Sequence, residues 1–106
     1  VRPPGHHSGL KSQPHGFSFF NNIALAVYQT IATKKAKKIA IVDWDVHMAK
    51  ETENILHRKD VLFISLHRYD NGKFFPHIPE SSSKNIGVGE GMGYNVNVCW
   101  NLVEKP

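Results

Sequence analysis

Two apolar runs, Ile39-Ala40-Ile41-Val42 and Val61-Leu62-Phe63-Ile64-Ser65-Leu66, constrain this chain more than any other feature. Both are short and rich in β-prone residues, so both read as strands, the first covered on two faces. Residues 51 to 58 lie between them and suit a short helix with Ile55 and Leu56 turned inward. Strand, short helix, strand implies a right-handed crossover and parallel pairing. Tyr94, Val96, Val98 and Trp100 alternate with Asn95, Asn97, Cys99 and Asn101, which predicts a third strand with Cys99 as a small buried hydrophobe. Ile23, Val27 and Ile31 recur every fourth residue behind Asn21 or Asn22, a helix with its own cap that should run to about Thr33. Lys34, Lys35, Lys37 and Lys38 then suit its C-terminal end. The fold class is α/β, a mainly parallel sheet with flanking helices.

Composition narrows the function. The chain has 106 residues, room for one small domain, and it is 41% hydrophobic and 21% charged, as a folded domain is. The formal charge of +4 owes much to the lysine cluster, which reads as a solvated helix end, so no direct nucleic-acid partner is expected. No apolar run is long enough to span a bilayer, and the opening Val-Arg-Pro-Pro-Gly-His-His does not read as a secretory signal, so no membrane partner is expected. A single cysteine fits a reducing compartment. Seven histidines are the informative excess, because imidazole is both a ligand and a proton carrier near neutral pH.

Ligands of parallel sheets gather beyond the carboxyl ends of the strands, where Asp43, Asp45, His47 and His67 fall. Residues two apart on extended backbone share a side, so Asp43, Asp45 and His47 can converge. A carboxylate and an imidazole are ligands zinc accepts, although the spacing alone equally suits acidic residues leaving a strand. His6 and His7 follow Pro-Pro-Gly on stiff, turned backbone and can serve as general base and acid, or as a solvated loop pair. Phe17, Phe19, Phe20, Phe74 and Phe75 read as core or as the walls of a narrow apolar slot. Residues 67 to 93, rich in Gly, Pro and Ser, form a long loop of the kind that often carries function.

Five pieces in order make the chain resemble the zinc-dependent histone deacetylases, class II and nearest the class IIb type. They are Val1-Arg-Pro-Pro-Gly-His-His7, Gly16-Phe-Ser-Phe-Phe-Asn21, Ile41-Val-Asp-Trp-Asp-Val-His47, Ser65-Leu-His-Arg-Tyr-Asp70 with Phe74-Phe75-Pro76, and Gly93-Tyr-Asn-Val-Asn-Val98. The resemblance implies the arginase/deacetylase-like fold, with residues 1–106 as a central portion of the catalytic domain, and hydrolysis of N-acetyl groups on lysine. It implies Asp45 and His47 as zinc ligands, His6 and His7 as the proton-handling pair, and Asp43 as the support of His6. Gly16, Phe17 and Phe75 would meet the substrate, and Asp43, Asp45, His47, Ser65 and Leu66 would hold a potassium-like monovalent cation. The partner would be acetylated lysine in histone or non-histone proteins, in nucleus and/or cytoplasm.

The family's third zinc ligand and its oxyanion-stabilising tyrosine fall beyond Pro106 in this register. Two protein ligands make a weak site, so a partner chain or further segment is expected to complete it, and this chain alone should be inactive. The family carries Asp or Asn where Lys50 stands, a side chain that supports His7; Lys50 is expected to turn outward and leave His7 without a partner. A catalytically dead remnant kept for binding or scaffolding is the alternative.

Overall fold

The computed structural model describes residues 1–9 and 14–102. Helix α1 (Asn22–Ala32) is followed by strand β1 (Ile39–Asp43), helix α2 (Lys50–Ile55), strand β2 (Val61–Arg68) and strand β3 (Asn95–Trp100), with three short 3-10 turns between β2 and β3. The sheet order is β1-β2-β3 and both pairings are parallel. Ile39 sits opposite Val61 and Asp43 opposite Ser65, while Phe63 faces Asn95 and Arg68 faces Trp100.

Both helices pack on one sheet face. Ala24 and Val27 from α1 meet Leu56 and Val61 in a buried cluster, with Ile31, Ile39, Ile41 and Ile55 around it. Tyr28 fastens the helices together by donating its hydroxyl to the Ile55 carbonyl at 3.0 Å. Asn21 caps α1 by accepting from the Ala24 N–H at 3.0 Å, and its amide donates to the Ser8 carbonyl and the Thr52 hydroxyl oxygen. Thr52 in turn donates to the His6 carbonyl at 2.6 Å. One buried amide thus joins the start of α1, the loop that carries His6 and His7, and α2.

Two expectations need correcting, and the inward face of β3, which the sequence left open, is now fixed. Strand β1 is not covered on both faces: Val42 is 56% exposed, on the same side as Val96 and Val98 of β3, also exposed. A continuous apolar run says only that a second face wants cover, and no described residue supplies it. In β3 the side facing the core is Asn95 and Asn97, both buried, because the loop before the strand offers carbonyls there: Asn97 donates to Glu80 and Ser82, Asn95 to Asn85. Cys99 is half-buried rather than in the core.

Candidate metal centre

Strand β1 ends at Asp43, and two successive side-chain turns hold the backbone from there to His47. Asp43 Oδ1 accepts from the Asp45 N–H at 3.0 Å, and Asp45 Oδ1 accepts from the His47 N–H at 2.8 Å. Short acidic side chains make such turns readily, which is why carboxylates two apart recur here. The segment also stays tied to the sheet, since the Val46 carbonyl accepts from the Arg68 N–H. Asp43, Asp45 and His47 therefore line up beyond the end of the strand.

The tandem histidines approach from the other side. Gly5 has φ +63° and lies so close to Phe20 that a Cβ would stand 1.7 Å from its carbonyl oxygen; only glycine admits this turn. It delivers His6 to Asp43, with Nδ1 donating to Oδ2 at 2.6 Å. Both side chains are nearly buried, at 12% and 11% exposure. Gly16, at φ +53°, lies directly on the His7 ring, where a Cβ would come within 2.6 Å. The two rings are 4.2 Å apart, and His6, His7 and Asp45 each offer a ligand atom within 4.8 Å of the others.

The two rings titrate apart. Burial alone would lower His6, but the Asp43 hydrogen bond and charge, with help from Asp45, outweigh it and hold the imidazole above its ordinary value. His7 is pushed down to about 4 by burial and by the neighbouring His6, against a smaller pull from Asp45. Asp43 thus favours the protonated form of His6, while burial favours the neutral form of His7.

Asp45 Oδ1 and His47 Nδ1 lie 3.2 Å apart, at 44% and 39% exposure. Two donors at about 2.0–2.1 Å from a tetrahedral zinc are separated by about 3.3 Å, so this pair fits that ion in chemistry and in spacing. The remaining expected residues lie nearby in the fold. Ser65 is opposite Asp43 on β2 with Leu66 next to it, and the buried Ser65 hydroxyl is taken by His67 Nδ1. His67, placed among the ligand-end residues by its sequence position, is fully buried and pinned, its Nε2 donating to the Ser81 carbonyl.

Phe75 stands at the hub of a ring cluster: His7 and His47 meet it edge-on at 5.4 and 5.5 Å, and His15 stacks on it at 5.4 Å. Phe17, expected opposite Phe75, is fully exposed at φ +64°. Phe74, which the sequence left open between core and slot wall, stacks on His47 at 5.1 Å with planes only 3° apart, under the Arg68 guanidinium at 4.3 Å. An aromatic next to another in a loop carries no signal of which neighbour it will meet.

Lys50 does not turn outward. Glu53, one helical turn on, is 2% exposed and needs a cation; Lys50 Nζ meets it at 3.1 Å, and Asn85 donates to both of its oxygens. The His7 ring makes no hydrogen bond among the described residues. A cavity of about 370 Å³ lies against Arg2, His6, Asp43, Trp44 and Asp45, and a second of about 250 Å³ against His7, His15, Met48 and Lys50.

Residues 1–104 match the histone deacetylase domain. The chain belongs to the histone deacetylase family. It is 48% identical to histone deacetylase 7 of Homo sapiens over 94% of this chain and 10% of that protein. It is 42% identical to polyamine deacetylase HDAC10 of Danio rerio over 97% of this chain and 15% of the relative. Histone deacetylase 6 of Caenorhabditis elegans matches at 47% over 95% of this chain and 10% of its own length. Among solved structures, the HDA15 HD domain superposes with a TM-score of 0.86 and 45% identity, over 96% of this chain and 28% of that one. The fold is the arginase/deacetylase fold and the kinship is with class II deacetylases, of whose length this chain spans a small part.

Proposed function

We propose that this chain carries the proton-handling half of a zinc-dependent deacetylase acting on acetyl-lysine in histone or non-histone proteins. The observation that carries the reading is the 2.6 Å His6–Asp43 bond beside the Asp45–His47 pair. Asp45 and His47 would hold the zinc, which when bound polarises an amide carbonyl and acidifies water. His7, neutral, is the group ready to take a proton from an attacking water at a ring nitrogen. His6, whose protonated form Asp43 favours, would add positive charge where an oxyanion develops. Gly16 and Phe75 would receive the substrate's amide and methylene stem, with Phe17 on the opposite wall once a substrate draws it in. Asp43, Asp45, His47, Ser65 and Leu66 would surround a potassium ion.

The 106-residue chain with zinc should not turn over an acetyl-lysine peptide, because two metal ligands are too few. Grafting residues 1–104 into the matching segment of an active class II deacetylase tests the reading itself. Measurable deacetylation is expected, falling about 10²–10⁴-fold in His6→Ala. A folded, zinc-loaded graft without turnover would favour the second reading, a binding or scaffolding remnant. Lys50 is the observation behind that alternative: it stands where a carboxylate or amide should support His7 and is spent on Glu53 instead.

A further inference from the structure

The turn between α1 and β1 holds the whole net charge of the chain. Lys34, Lys35, Lys37 and Lys38 are four of 13 basic residues; the other nine are matched by nine acidic ones, which leaves the formal +4 in five consecutive positions. All four lysines are exposed and none joins an ion pair among the described residues, whereas Lys50, Arg58 and Arg68 each have a carboxylate. Residues 1–42 contain no acidic residue. Asp60 lies beside the turn, since its carbonyl accepts from the Ile39 N–H, but its carboxylate is taken by two 2.7 Å bonds from Arg58. We propose that this turn is a docking surface for an acidic polypeptide segment, a run of aspartate and glutamate on a partner protein.

The helix does not account for the cluster. Helix α1 ends at Ala32 with no basic residue in its last turn, and a helix dipole acts within that turn. Its last carbonyls already have donors: the N–H groups of Thr33, Lys34 and Lys35 bond to the carbonyls of Gln29, Ile31 and Thr30. The ammonium groups are not needed as caps. Like charges set this close repel one another, and a run of them that the fold leaves without counter-charge is the mark of an interaction surface.

The residue types favour carboxylates over nucleic acid. Lysine is a point charge with three donors, suited to separate carboxylates. Surfaces that read duplexes or single strands add arginine forks or stacking rings, and residues 34–38 contain neither. The turn lies at the end of the sheet where Ile39 faces Val61, while Asp43 lies about 13 Å away at the far end of β1. A partner held here leaves the candidate metal centre open, and the proposal stands independently of the deacetylase reading.

Fluorescence anisotropy of a short labelled peptide of alternating Glu and Asp, titrated with the 106-residue chain at low salt, tests it. Saturable binding is expected. It should weaken about threefold or more in the Lys37→Gln, Lys38→Gln double variant, and about tenfold or more when Lys34→Gln and Lys35→Gln are added. Lys73→Gln with Lys84→Gln removes the same charge as the double variant from exposed positions between β2 and β3 and should leave the affinity unchanged. An equal loss there would mean that total charge, not this turn, draws the peptide, and would overturn the proposal. So would the absence of saturable binding, or a DNA duplex of equal charge binding the unaltered chain more tightly than the peptide at the same salt. Circular dichroism checks the fold of each variant, and the comparison of peptide with duplex needs none.

Discussion

At Asp43 one carboxylate serves two partners, His6 through Oδ2 and the Asp45 N–H through Oδ1. The first sets a proton and the second sets a turn. Asp43→Asn keeps an acceptor for the turn but removes the charge. The His6 imidazole should then fall, because burial is opposed only by the weaker pull of the Asp45 charge. Titration of its ring signals by NMR checks this; an unmoved His6 would mean that Asp43 does not control it. The alternate spacing of Asp43, Asp45 and His47 was legible in the sequence because the turns that hold it are made by the same side chains. The approach of His6 was not, since it depends on Gly5 seating against Phe20, a contact between segments. In the sequence, only the family pattern of motifs brought these residues together.

The elements themselves were readable. A four-residue repeat behind an asparagine became α1 with Asn21 as its cap, and two β-prone runs became β1 and β2 in parallel. What local pattern cannot report is the partner across an element, and Lys50 is the instance. Read beside a metal site, its ammonium should be repelled; in the fold it lies one turn from the buried Glu53 and offsets its charge. Lys50→Met should therefore destabilise the chain by about 1–3 kcal/mol, read as a lowered urea midpoint. The double variant with Glu53→Gln should recover part of the loss, whereas simple additivity would deny the coupling. The same pair explains why Lys50→Asp alone is a poor repair for His7: it would set a second carboxylate beside Glu53.

On the scale of the whole molecule, among the described residues a three-stranded sheet has helices on one face only, and Val42, Val96 and Val98 face outward on the other. Among the described residues both outer strands are also open edges. Such a surface invites association. Val42→Thr with Val98→Thr should lower self-association in sedimentation while shifting stability by about 1 kcal/mol or less; undiminished association would place the sticky surface elsewhere.

Stability should also fall in acid. His67, His7 and His57 all have folded-state values below their ordinary one, each with burial as the leading cause. Their contribution is present above about 6.5 and is lost as pH falls through the folded values. His6 has the opposite sign, its contribution present below the ordinary value and lost as pH rises through the raised one. With three groups against one, the urea midpoint should drop between pH 7 and 5, and a rise would contradict the assignment.

The central claim is that the carboxylate at the end of β1's acidic turn was shaped to hold a divalent ion beside the paired histidines. Calorimetric titration of zinc into the 106-residue chain and its Asp45→Asn variant tests it most directly. One zinc per chain is expected, with affinity lost at least tenfold in the variant. No saturable binding, or binding that survives the loss of Asp45's charge undiminished, would contradict it.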